Sequence, residues 1–232
     1  MMPMVLEVAR KAKTDFKTEG DGTISLHAPT DLFKTITTVS DNYNQARYDI
    51  VLRGSLSLCF KLTQNFQREF MTVIDSDGEL GLDILIATTN ASLKFIGNTK
   101  NFIKVLAKTS GTKLDKLDGM YSTGNIIKVW ANLSNTAFQR VQSKMRDEIA
   151  DGFLEIPNHQ DWDLQKHLQT WYGYIKTNEK KLVKAFRKKL LPPIWDEFTN
   201  LYCQFIIATS KFYQPKETRK FDDKVDKEVD ML

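Results

Sequence analysis

Asp222, Asp223 and Asp226 stand in the spacing Asp-Asp-x-x-Asp, which on a helix sets hard carboxylate oxygens one turn apart. Such oxygens hold Mg²⁺ against a diphosphate in helical isoprenoid enzymes. The surroundings argue against that chemistry here. The triplet lies in a lysine-rich polar stretch ten residues from the end of the sequence, with no second acidic motif after it. A solvated helix face accounts for it better. Asp75-Ser76-Asp77-Gly78-Glu79 opens like a calcium loop, but glycine falls at the fourth position and Leu80 at the sixth, where the turn needs glycine. Gly78 reads as a helix stop.

His159, Asp161, Asp163 and His167 lie close in sequence. Two histidines eight apart, across a loop-to-helix junction, are weak metal spacing. Asp161 or Asp163 as a helix N-cap explains the same residues more simply. Cys59 and Cys203 are too few for a disulfide framework or a zinc site. Both fall on or beside apolar stripes, where cysteine behaves as a small hydrophobe. No phosphate-binding loop, dinucleotide fingerprint, nucleophile elbow or His-Glu-x-x-His motif is present. Asn90-Ala91-Ser92 and Asn132-Leu133-Ser134 fit the glycosylation sequon, but both lie inside expected helices. No enzyme activity and no cofactor are expected.

The strongest local signal is basic. Lys176, Lys180, Lys181, Lys184, Arg187, Lys188 and Lys189 face Glu179 alone, an excess of six positive charges over fourteen residues. Such a run attracts anionic lipid or nucleic-acid phosphate. Leu182, Val183, Phe186 and Leu190 interleave at core spacing, so the outer face of an ordinary helix would look the same. A nucleic-acid site would want exposed aromatics beside the lysines, and Trp171, Tyr172 and Trp195 read as partly buried. Nucleic acid is therefore the weaker partner class.

The elements that carry these residues are helical nearly throughout. Thr30 is placed as an N-cap after Pro29, with Leu32, Phe33, Ile36 and Val39 forming the first stripe. Leu52, Leu56, Cys59, Thr63, Phe66, Phe70 and Val73 alternate steps of four and three along a long helix. A third helix carries Leu82, Leu85, Ile86, Thr89, Leu93 and Ile96 and continues past Gly97 to Gly111. Gly111, Gly119 and Gly124 mark a boundary between helical subdomains. Beyond it Ile126, Trp130, Leu133, Ala137, Val141, Met145 and Ile149 line another helix. Leu164, Leu168, Trp171 and Ile175 define the next, with Leu182, Phe186 and Leu190 in its extension or in a sixth. Pro192-Pro193 should end or kink that helix. Ile194, Phe198, Leu201, Phe205, Ala208 and Phe212 form the last stripe, followed by a charged terminal helix or tail.

The sequence has 232 residues, 41% hydrophobic and 27% charged, with a net charge of +4. That excludes a disordered chain. No apolar run approaches a membrane span, and the first thirteen residues do not form a signal peptide. A reduced, cytosolic all-α protein is expected. Helices of 20 to 30 residues, each roughly 30–45 Å long, favour elongated tandem bundles. The expected layout is an N-terminal segment 1–25, a helical bundle 26–115 and a second bundle 120–232.

Residue order then points to a family. Ala28-Pro29-Thr30-Asp31-Leu32-Phe33-Lys34 resembles the Pro-x-Asp-Leu-Phe helix start of exocyst complex component three, the Sec-six subunits. The segment from Ile84 through Asn90 to Lys94 is similar to that family's helix with alanine, asparagine and lysine at set intervals. Trp171-Tyr172-Gly173-Tyr174-Ile175, the basic run, and Trp195-Asp196-Glu197-Phe198-Thr199-Asn200-Leu201-Tyr202 resemble its terminal helices. Residues 213–232, with Lys216-Glu217-Thr218-Arg219-Lys220, resemble the lysine-rich segment after them. The likeness runs from about residue 24 to the end and contains no catalytic motif. Pro192-Pro193 departs from it, interrupting what the family keeps as continuous helix.

The resemblance implies a rod-like vesicle-tethering scaffold, cytoplasmic and peripheral to the plasma membrane at sites of secretion. It implies binding to other exocyst subunits and to plasma-membrane SNARE proteins; the charge excess of residues 176–189 adds an acidic partner or an anionic membrane surface, and self-association is a further expectation. Family members are several times longer, so the chain would be a piece of their C-terminal half, lacking the final bundle. The alternative is a helical domain that binds nucleic acid or anionic lipid through its basic face, residues 176–189.

Overall fold

A computed structural model describes residues 16–46, 49–76, 80–155 and 164–210. Among them the all-α expectation holds, with one small addition. Two short strands, β1 (Phe16–Thr18) and β2 (Ile24–Leu26), precede seven helices. These are α1 (His27–Ala46), α2 (Asp49–Ser76), α3 (Leu82–Ser110), α4 (Leu114–Tyr121), α5 (Thr123–Glu155), α6 (Leu164–Lys181) and α7 (Lys184–Ser210).

The strands form an antiparallel hairpin that pairs Phe16 with Leu26 and Thr18 with Ile24. Asp21 makes the turn. Its Oδ1 accepts the Thr23 amide at 3.0 Å and the Thr23 hydroxyl at 2.7 Å, a side chain standing in for a backbone turn. Three-residue strands are too short to show periodicity, and β2 is buried at every position instead of alternating. Helix α1 then begins at His27, directly after β2, so Thr30 lies within the helix and is not its cap. Pro29 falls in the first turn, where its missing N–H would have had no helical partner.

By contact density the chain divides into two compact units, one comprising Met1–Val141 with Lys181–Val183, the other Gln142–Lys180 with Lys184–Leu232. In the first unit α3 is the central element. All eight side chains at positions 85–92 are buried, whereas a surface helix would bury one stripe. It packs against α1, β2 and α4. Gly111 ends it at φ 66°, a left-handed cap that glycine adopts without a Cβ penalty. An aromatic cluster fills the space between helices. Trp130 stacks on Phe95 with centroids 4.2 Å apart, Phe33 meets Phe95 edge-on at 5.8 Å, and Phe60 touches Tyr121 at 6.0 Å. On α2 the buried face takes Phe60 and Ile74, while Cys59 and Val73 are half-buried. Leu52, Leu56, Thr63, Phe66 and Phe70 are buried as expected, and only these two positions shift to the next residue.

Residues 110–124, marked by glycines in the sequence, contain the short helix α4. Asp118 on α4 caps the next helix: its Oδ1 accepts the Gly124 amide at 2.6 Å and the Thr123 hydroxyl. Arg140 on α5 donates from Nη1 to the Ile74 carbonyl near the end of α2. Every apolar residue assigned to the α5 stripe, from Ile126 to Ile149, is buried.

In the second unit Phe153 packs against Phe198 at 5.4 Å and Phe205 at 6.3 Å. Tyr174 donates its hydroxyl to Glu148. Pro192 and Pro193 lie inside α7, which runs through them without ending. Proline at 193 cannot supply the N–H that the carbonyl of Lys189, four residues earlier, would receive. Gln142 supplies one instead, donating from Nε2 to that carbonyl at 3.2 Å. A side chain from another helix thus satisfies a backbone group freed by proline, and the helix continues.

Candidate functional site

The basic run is divided by the break at Leu182 and Val183. Lys176, Lys180 and Lys181 belong to the end of α6; Lys184, Arg187, Lys188 and Lys189 occupy the start of α7. Leu182, at the break, is fully buried.

Three of the seven cations are held by neighbours. Lys176 pairs with Glu179 at 3.1 Å, a bond that raises the lysine pKa, and its ammonium sits 5.7 Å from the Tyr172 ring centre. Lys181 pairs with Asp83 at 2.6 Å. Arg187 donates from Nη2 to the Lys180 carbonyl at 2.9 Å, closing an orphan acceptor at the C-terminus of α6. Lys189 is exposed, with its ammonium 5.8 Å from the Phe186 ring. Lys180, Lys184 and Lys188 are exposed and form no ion pair among the described residues.

The first turn of α7 carries no acidic residue. Cations at a helix N-terminus oppose the helix dipole, so Lys184 and its neighbours do not serve helix stability. Tyr172 corrects the expectation of a partly buried aromatic: it is 52% exposed, and its ring leans on Trp195 at 6.2 Å. Trp171 and Trp195 are half-buried.

Asn90, read from the sequence only as part of a chance sequon and of the family resemblance, proves to be a structural hub. It is 3% exposed. Its Nδ2 donates to the Ile24 carbonyl and to the Lys181 carbonyl, both at 2.7 Å. Its Oδ1 accepts the Val183 amide at 2.9 Å. With both donors and its acceptor engaged in the interior, this amide is closed to glycosylation. An asparagine between Leu85-Ile86 and Leu93 of an apolar stripe was the available signal, since an unpaired amide there would be costly.

His159, Asp161, Asp163 and the triplet Asp222, Asp223 and Asp226 lie outside the described residues, as do Asp77 to Glu79. Among the described residues no three His, Cys, Asp or Glu side chains gather as a metal site. Burial pushes the half-buried Cys59 thiol pKa up, away from nucleophilic character. Cys203 is exposed. None of the described helices is long and apolar enough to cross a membrane.

These elements define a helical-bundle protein of the all-α class. No protein-family model matches the chain, and no curated protein matches its sequence. Among solved structures it is similar to the crystal structure of the C-terminal domain of the exocyst subunit Sec6p. The TM-score is 0.65 at 12% identity, over 85% of this chain and 58% of that one. The shared property is the fold, and the chain spans little more than half of that domain's length.

Proposed function

We propose that this chain is part of an exocyst-type vesicle-tethering scaffold, binding other tethering subunits and plasma-membrane SNARE proteins during exocytosis. One observation carries the reading: the helical-bundle fold of an exocyst subunit's C-terminal domain extends over 85% of the chain. The ordered resemblance of Pro29 to Phe33, of the Asn90 helix and of the Trp171 to Trp195 region supports it independently of coordinates. The scaffold acts without catalysis, through helix surfaces, in the cytoplasm beside the plasma membrane.

Affinity capture of the chain from cytosol, followed by mass spectrometry, tests the reading. Recovery of several exocyst subunits together supports it, and their consistent absence overturns it. Co-elution of the purified chain with purified plasma-membrane SNARE proteins tests the finer partner assignment, which fails if the two elute separately.

A further inference from the structure

We infer that the lysine-rich segment where α6 gives way to α7, with Lys180, Lys184, Lys188 and Lys189, docks on an anionic lipid bilayer. All four side chains are exposed, and none has an ion-pair partner among the described residues, the Lys189 ammonium lying beside the Phe186 ring. The cations that serve the fold are different ones: Lys176, Lys181 and Arg187 each have a named structural partner. The set therefore divides into fold-serving and unused charge, and the unused charge is gathered at one place. Lys184 and Lys188 stand one helical turn apart, and Arg187 fastens the start of α7 to the Lys180 carbonyl. Nearby acids do little to neutralise them. Glu179 is taken by Lys176, and Asp196 and Glu197 lie about two turns further along α7.

The chemistry of the unused set fits a lipid surface better than nucleic acid. Lysine is a hydrated point charge on a flexible stem, suited to a diffuse layer of headgroups. Arginine, with its planar fork, suits phosphate and base edges, and Arg187 is already engaged. Stacking on bases needs an open aromatic face. Tyr172 has the Lys176 ammonium near its ring and Trp195 leaning on it. The lysines also sit where the α7 dipole makes them unfavourable, a placement that a bound anionic surface would relieve.

The test is flotation of the full chain with vesicles of phosphatidylcholine alone and with about a third phosphatidylserine, each over a salt series. Each lysine near an anionic surface contributes about fivefold in partition. Lys180→Glu, Lys184→Glu, Lys188→Glu and Lys189→Glu combined should abolish flotation with anionic vesicles. The control reverses exposed lysines elsewhere, Lys61→Glu, Lys100→Glu, Lys104→Glu and Lys128→Glu, and carries the same net charge. It should keep binding, and circular dichroism should show both variants folded. The inference is overturned if the wild type fails to float, if the patch variant floats like wild type, or if the control loses binding equally. Oligonucleotide binding stronger than vesicle binding at matched salt would also overturn it. Recovery of exocyst subunits by the patch variant would show that membrane docking and scaffold assembly fail independently.

Discussion

The side-chain oxygen of Asn90 accepts the backbone N–H of Val183, 93 residues away, at 2.9 Å. The same side chain holds the carbonyls of Ile24 and Lys181, so one amide fixes a strand and a helix–helix turn to the most buried stretch of α3. Removing it would take this partner from three backbone groups, one buried and two part-buried. Each costs about 1–3 kcal/mol when left unpaired. Asn90→Ala should therefore lower unfolding free energy by at least about 3 kcal/mol in urea titration. Asn90→Asp should do no better at neutral pH, because it sets an anion against two carbonyl oxygens. A loss below about 1 kcal/mol for either variant would contradict the hub.

Gly152 and Trp171 define a second contact that tolerates no addition. A Cβ at position 152 would overlap the Trp171 indole, which is rigid and cannot fold away. Overpacking of this kind costs about 1–3 kcal/mol. Gly152→Ala should lower the melting temperature despite alanine's better helix propensity. Shrinking the partner, as in Gly152→Ala with Trp171→Leu, should recover part of the loss. A single variant as stable as wild type would refute the contact.

The Gln142 bond to the Lys189 carbonyl is a further target, because its value depends on Pro193. Gln142→Ala should cost about 1 kcal/mol in the wild-type background. In Pro193→Ala the backbone N–H returns and can take the Lys189 carbonyl itself. The Gln142→Ala penalty should then shrink, and a double-mutant cycle measures the coupling. Additive effects would show that the side chain does not replace the missing donor.

Glu19 provides a pH-dependent contribution. Hydrogen bonds from Lys17 and then Lys94 lower its pKa from the ordinary 4.5, with contacts of 3.0 and 3.1 Å. A folded pKa below the unfolded one gives stability that is present above the unfolded value. That stability is lost as pH falls through the folded value. Both lysines are partly solvated, so screening holds the effect below about 1 kcal/mol. The gap between wild type and Glu19→Gln should be open at pH 7 and close on acidification below 4.5. A gap independent of pH would refute the assignment.

The long helices were legible because their apolar stripes are buried, on one face in α5 and on every face over residues 85–92 of α3. In α5 every residue from Ile126 to Ile149 assigned to the core is in it. Three features escaped for physical reasons. The hairpin is too short for a period, and its buried strand does not alternate. The start of α1 follows directly from β2, so Thr30 never acts as a cap. Where α7 passes through Pro192 and Pro193, the carbonyl freed at Lys189 is bonded by Gln142 of another helix, which no local pattern reveals. Within the basic run the sequence listed seven cations alike, and only the partners Glu179, Asp83 and the Lys180 carbonyl distinguish the committed ones.

The inclusion of Lys181–Val183 in the first unit has a consequence for biosynthesis. The hydrogen bonds that satisfy Asn90 span 66 to 93 residues, so they join parts of the chain made far apart in time. A nascent chain ending at Val141 holds the hairpin, α1 to α4 and the first part of α5, but neither the Val183 donor nor the Lys181 acceptor. The hydrogen bonds of Asn90 are therefore completed only by the residues of the turn before α7.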